Sequence, residues 1–150
     1  MPNVDLHIMK TTRVFVDTYV WFSAFYKEGI CSRILRQLNK SSYEVVISEL
    51  VLEEIIRTIQ KKAPSALPFI IEYLNTAKVI VVKNSEKKVT TQYHHLADIK
   101  DVPILTAAIE YDCTYFITGN MKDFMTDQIA KEHQITIVSP ADFLKYLEVI

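Results

Sequence analysis

The sequence predicts an α/β fold built on a mainly parallel sheet, and three observations carry that prediction. Apolar runs of strand length alternate with helix-length stretches from residue 13 to residue 147. The runs at 14–16 and 115–117 are continuously apolar rather than alternating, the pattern of strands covered on both faces. Acidic residues recur where such runs end or where the next helix begins, the edge at which open parallel sheets bind ligands.

Residues 1–12 are polar and irregular and read as a lead-in to a single domain over 13–150. Val14, Phe15 and Val16 form the first strand, ended by Asp17. The chain continues apolar through Val20, Trp21, Phe22 and Phe25 until Gly29 breaks the pattern. Ser32 is then placed to cap a helix carrying Ile34, Leu35 and Leu38. Ser41 and Ser42 mark a turn into a second strand over 44–47. Ser48 is the expected cap of a helix over 49–61, whose apolar face takes Val51, Leu52, Ile55, Ile56 and Ile59. Glu53 and Glu54 fall on the two borders of that face, and periodicity does not choose between them.

Pro64 and Pro68 bracket a break, followed by an expected helix over 69–74 and a third strand over 78–82. Residues 85–96 have no useful period and read as a loop or a weak helix. Asp101 stands directly before Val102, Pro103, Ile104 and Leu105, so it is the expected N-cap of a helix with proline in its first turn. The buried strand at 115–117 ends in the turn Thr118, Gly119, Asn120. Residues 125–134 are expected to be helical or irregular, 135–138 a last strand and 141–147 a closing helix.

Composition narrows the function. A chain of 150 residues, 49% hydrophobic and 23% charged, has enough apolar sequence for one full core. Two glycines are too few for phosphate loops of the Walker or dinucleotide type, which need several positions without a side chain. A net charge of −1 gives no bulk positive field for nucleic acid or an anionic membrane, so any polyanion has to be held by local patches or by metal ions. Cys31 and Cys113 lie far apart in apolar sequence without zinc spacing, as expected of reduced core thiols. No run reaches the length of a membrane span and the N-terminus lacks a leader-like core, so a soluble cytoplasmic protein is expected.

Asp17, Asp101, Asp123 and one of Glu53 or Glu54 are the candidate functional acids, with Asp98 nearby. If they converge, two carboxylates about 4 Å apart repel by roughly 4 kcal/mol at an effective dielectric near 20, so the cluster stays ionised only around a cation. Oxygen donors with few histidines favour Mg²⁺ or Mn²⁺, ions that activate water and support in-line attack on a phosphodiester. Each acid also has a plainer reading. Asp101 and Asp123 serve as helix or turn caps, the glutamates as solvated surface; Asp17 resists this, because an ionisable group ending an apolar strand needs a partner. His94 and His95 in a polar loop, the lysines 61, 62, 83, 87 and 88, and the aromatics Trp21, Phe22 and Phe25 are more simply solvated surface and core than ligands, phosphate contacts or stacking platforms.

Five segments in order, FVDT at 15–18, ISELVLEEI at 47–55, DIKDVPILTAAI at 98–109, ITGNMKDF at 117–124 and IVSPADFL at 137–144, give the chain a resemblance to the PIN domain, in its VapC-like toxin form. The resemblance covers residues 13–147. It implies a three-layer α/β/α sandwich and an Mg²⁺- or Mn²⁺-dependent endoribonuclease acting on single-stranded RNA. As the toxin of a toxin–antitoxin pair, such a protein has an antitoxin partner and forms a homodimer. Carried over by position, Asp17, Glu54 and Asp101 match the metal-binding acids, which singles out Glu54 from the glutamate pair. The family's fourth acid follows Thr-Gly, where this chain has Asn120, with Asp123 three residues on as its replacement. Thr118, Asn120 and Ser23 are carried over as residues that support the acids or touch substrate. Tyr19 stands where the pattern after Asp-Thr is usually Asn. The departures at Tyr19 and Asn120 define the alternative, a catalytically impaired RNA- or protein-binding module of the same fold. A haloacid-dehalogenase-type phosphatase is disfavoured, because it requires a second Asp where Tyr19 stands, and the acidic pair and late lysine of a response-regulator receiver are not evident.

Overall fold

A computed structural model describes residues 11–77 and 79–149. Most of the expected lead-in, residues 1–10, and Lys78 at the start of the third expected strand lie outside them. The chain passes from β1 (Arg13–Val16) through α1 (Thr18–Tyr26) and α2 (Ile30–Lys40) to β2 (Glu44–Ser48). It continues through α3 (Glu49–Lys62), α4 (Leu67–Thr76), β3 (Val79–Val82), the single turn α5 (Lys87–Thr90) and α6 (Val102–Glu110). The last elements are β4 (Tyr115–Ile117), α7 (Thr126–His133), β5 (Thr136–Val138) and α8 (Pro140–Val149). The five strands form one sheet in the order β3-β2-β1-β4-β5, and every pairing is parallel. Helices cover the sheet as a three-layer α/β/α sandwich. Among the described residues no helix is long and apolar enough to cross a membrane.

This strand order places the site. The chain winds outward from β1 to β2 and β3, then returns to lay β4 on the opposite side of β1, with Val14, Phe15 and Val16 in register with Tyr115, Phe116 and Ile117. The connections after β1 and β4 therefore diverge to opposite sides. A crevice opens between them at the carboxyl ends of both strands. The first residues beyond those ends are Asp17 and Thr118.

Burial explains why the continuous apolar runs become central strands. Val14, Phe15, Val16, Phe116 and Ile117 are fully buried, and the Phe15 and Phe116 rings stack at 5.1 Å between centroids. In α3 the deepest positions are Val51, Ile55 and Ile59, an i, i+4, i+8 row, with Leu52 and Ile56 half-buried beside it. The Ser48 hydroxyl accepts from the Val51 amide at 3.3 Å, the expected cap. Cys31 is half-buried, Cys113 is buried, and both are free thiols.

Three local expectations change. The helix expected to begin at Ser32 starts at Ile30 with Gly29 as N-cap; Ser32 sits in its first turn, its hydroxyl accepting from the Gly29 amide at 2.9 Å. The apolar stretch after Asp17 is the helix α1, and of the aromatics expected as core only Trp21 is buried, with Val20 and Ala24, while Phe22 and Phe25 are partly covered. Asp101 occupies the N-cap position of α6, but its backbone is already helical (φ −98°, ψ −10°) and its side chain makes no capping hydrogen bond. A carboxylate capping from an extended residue would be tied to the helix amides, whereas this one is left to other use.

The stacked phenylalanines at the sheet centre generate a stability prediction. Phe116 is fully buried between Phe15 and Phe124, whose centroids are each 5.1 Å away. Phe116→Ala is expected to lower unfolding free energy by about 3–5 kcal/mol in urea titrations.

Candidate metal-binding and nuclease site

Asp17 is fixed by the sheet before its side chain does anything. Its amide donates to the Ile117 carbonyl at 3.0 Å, extending the β1–β4 ladder, and its carbonyl accepts from Val20 and Trp21 as α1 begins. Its backbone is extended (φ −67°, ψ 154°), and Oδ1 accepts from the Thr18 amide at 2.6 Å. Oδ2 accepts from the buried Thr118 hydroxyl at 2.8 Å, across 101 residues of sequence. That hydroxyl in turn accepts from the Asn120 amide at 3.1 Å, while the Thr118 amide donates to Val138 of β5. Thr118 thus ties the ends of three neighbouring strands to one carboxylate.

Asp101 and Asp123 are brought alongside by a backbone strap. Ala97 and Phe124 form an antiparallel bridge, flanked by hydrogen bonds from Met125 to Leu96 and from Asp98 to Asp123, each 2.8 Å. The Asp101 amide then donates to the Asp98 carbonyl at 2.8 Å, closing the turn into α6. Glu54 arrives from α3, where its Oε1 accepts from the Thr18 hydroxyl at 3.1 Å. Glu53 is exposed. Of the two glutamates, Glu54 is therefore the one that faces Asp17 across Thr18.

An open cavity of about 320 Å³ collects Asp17, Glu54, Asp101 and Asn120 in its lining. Asp123 stands beside it, mostly buried, with its carboxylate 3.6 Å from the Lys100 ammonium. The residues 17, 54 and 101 therefore share one side of the molecule. Ser23, further along α1, is not among the residues that line this cavity. His94 and His95 are exposed, and His95 lies 3.5 Å from Glu132. Of the five lysines considered from sequence, Lys62 alone lines the cavity. Lys100, which also lines it, was not singled out, although its place between Asp98 and Asp101 was the available signal.

The electrostatics record crowding. Burial raises the Asp17 carboxyl above its ordinary value, the hydrogen bonds from Thr118 and Thr18 oppose this, and the charge of Asp123 adds to it. For Asp101, burial first and then the charge of Asp17 push the pKa up to about 6; Lys100 opposes, and Asp123 and Asp98 reinforce. Asp101 Oδ2 is buried with no hydrogen-bond partner among the described residues. An acceptor so placed costs free energy unless a proton or a cation meets it. These donors suit a hard divalent ion, since all are oxygens. Among the described residues no three His, Cys, Asp or Glu side chains already stand close enough to hold one ion.

The raised Asp101 pKa has a pH consequence of definite sign. The folded chain binds this proton up to about pH 6, whereas the unfolded chain releases it near 3.8. Stability from this group is therefore whole below pH 3.8, falls as pH rises toward 6, and stays reduced above it. With chelator present, Asp101→Asn is expected to exceed the wild type at pH 7 by about 1–2 kcal/mol, after discounting for the side chain's partial exposure. The difference should vanish near pH 4 in denaturant titrations across pH.

Comparison with known proteins agrees with this geometry. A protein-family model described as PIN domain matches residues 13–122. No curated protein sequence matches. Among solved structures the chain is similar to VapBC2 from Rickettsia felis, determined bound to a DNA fragment from their promoter, with a TM-score of 0.60. The two are 17% identical, and the likeness covers 85% of this chain and 98% of the other. The matched segment holds β1 through β4 and the residues 17, 54, 101, 118 and 120, and the chain belongs to the PIN domain family.

Proposed function

We propose that this protein is a divalent-metal-dependent endoribonuclease that hydrolyses phosphodiester bonds in single-stranded RNA. The observation that carries the reading is the buried, unpartnered Oδ2 of Asp101 in the same cavity as Asp17 and Glu54, with Asp123 adding negative charge. Membership of a family whose members are typically nucleases supports the reaction class. A bound Mg²⁺ or Mn²⁺ supplies an acidified water and positive charge at the scissile phosphate.

Asp17, Glu54 and Asp101 are the residues proposed to hold the ion, with Asp123 as the fourth acid. Thr118 positions Asp17: its hydroxyl accepts from the Asn120 amide, so its own proton is directed at Asp17 Oδ2. Thr18 does two jobs, its amide bonding Asp17 and its hydroxyl Glu54, which sets the spacing between acids from β1 and α3. Asn120 lines the cavity without adding charge.

The family resemblance and the likeness to VapBC2 support a toxin role, with an antitoxin protein as partner. Homodimerisation and a cytoplasmic location follow from that role. A second reading, a catalytically impaired binding module, is favoured by one observation: Tyr19 is 65% exposed and makes no hydrogen bond to the acids among the described residues.

Cleavage of a single-stranded RNA with Mn²⁺ separates the two. The nuclease reading expects cleavage that chelator removes, and a drop of at least about a hundredfold in each of Asp17→Asn, Asp101→Asn and Glu54→Gln, since even residues one step removed from a metal contribute that much. Equal rates in wild type and all three variants, or none in wild type, would end it. Thr118→Val tests the positioning bond separately. Metal affinity, read by calorimetry, is expected to fall about 10- to 100-fold with the fold retained by circular dichroism.

A further inference from the structure

We infer that one lip of the acid cavity is an RNA-binding subsite, with Lys62 contacting a phosphate away from the cleaved bond and Tyr19 stacking on a base. The inference rests on the nuclease reading and deepens it. Its first observation is a row along α3. Leu50, Glu54, Thr58 and Lys62 are spaced by four residues, so they share one face, and all four line the cavity. Glu54 and Lys62 are two turns apart, about 12 Å along the helix axis. The lip therefore changes from negative to positive along its length, and among the described residues Lys62 forms no ion pair with the acids. Lys100, by contrast, pairs with Asp123 at 3.6 Å.

The second observation is how Lys62 is held. Its ammonium lies 5.7 Å from the centroid of the Phe22 ring, within cation–π range. Phe22 is itself pinned by Tyr26, stacked at 5.1 Å with an interplanar angle of 20°. A lysine resting on a fixed ring is placed for a phosphate oxygen at less entropic cost than one free in solvent. Third, Tyr19 precedes Phe22 by three residues on α1, so it borders the same cavity, yet its ring is 65% exposed. An exposed aromatic face next to a positive charge is the arrangement that single-stranded nucleic acid uses, since every base offers a π-face and every linkage a charge. The residue that departs from the family pattern thereby gains a role in substrate choice.

The test uses the full chain carrying Asp17→Asn, so that RNA is bound but not cut, with a fluorescent single-stranded oligonucleotide and anisotropy as the readout. Lys62→Gln is expected to weaken binding about five- to tenfold and to reduce the slope of log K against log salt by about 0.7, one phosphate contact on a single strand. Tyr19→Ala is expected to weaken binding about tenfold with the salt slope unchanged, and Tyr19→Trp to restore it. Lys88→Gln, on an exposed lysine beside Glu86 outside the cavity, serves as the control and is expected to bind as the parent does. If wild type cleaves RNA but Lys62→Gln and Tyr19→Ala bind like the parent, the subsite is wrong and the nuclease stands. If wild type neither binds nor cleaves RNA, both readings fall together.

Discussion

Negative charge crowded at a fixed edge of the sheet is the constraint on which the rest of this structure depends. Asp17 cannot move away from it, because its amide completes the β1–β4 ladder and its carbonyl opens α1. Asp101 is held nearby through the bridge between Ala97 and Phe124 and the turn that follows. With the backbone committed, relief comes only through protons, donors or cations. Burial raises both carboxyls toward the protonated form, and the Thr118 and Thr18 donors serve Asp17 alone. Asp101 Oδ2 has no such donor. A structural acid would have been given one, since buried acceptors elsewhere in folded proteins are nearly always satisfied. The asymmetry between the two aspartates leaves Asp101 with a buried oxygen that no donor among the described residues satisfies.

The strands and their acidic ends were legible because the relevant signals are local. Val14 to Asp17 and Tyr115 to Thr118 are each an apolar run followed by a polar residue, and a parallel sheet buried on both faces admits few other readings. Where the sequence was less informative, the deciding contact lay elsewhere in the chain. Periodicity could not choose Glu54 over Glu53, because the choice is made by the Thr18 hydroxyl on another helix. In helix α1 the aromatics expected as core divide: Trp21 faces the core with Val20, while Phe22 beside them packs at its margin under Lys62. The capping role expected of Asp101 failed on backbone angles that no residue pattern reveals. Ser23 was carried over by position, and the structure leaves it out of the cavity lining.

The cations were the hardest to read, for a physical reason. A lysine pair ending a helix, such as Lys61 and Lys62, is ordinary on solvated surfaces, and only the turn-by-turn alignment with Glu54 and Thr58 distinguishes one from the other. Lys100 lay hidden among acids, where it looks like mere charge balance. Both matter because the cavity gathers Asp17, Glu54 and Asp101, whose charge would repel a polyanion on approach. Local cations at the cavity margin offset part of this charge without making the whole protein basic.

The neutral Asn120 can be understood in the same terms. What that position supplies to the site runs through its backbone: the amide donates to the Thr118 hydroxyl, and the carbonyl accepts from the Asp123 amide at 3.0 Å. The first bond directs the Thr118 proton at Asp17, and the second starts the short turn that delivers Asp123. Neither requires a carboxylate on residue 120. A further acid there would add to the charge that, after burial, raises the Asp101 pKa, whereas Asp123 brings its charge paired with Lys100. The substitution therefore trims the repulsion while keeping the connections that hold the remaining acids in place.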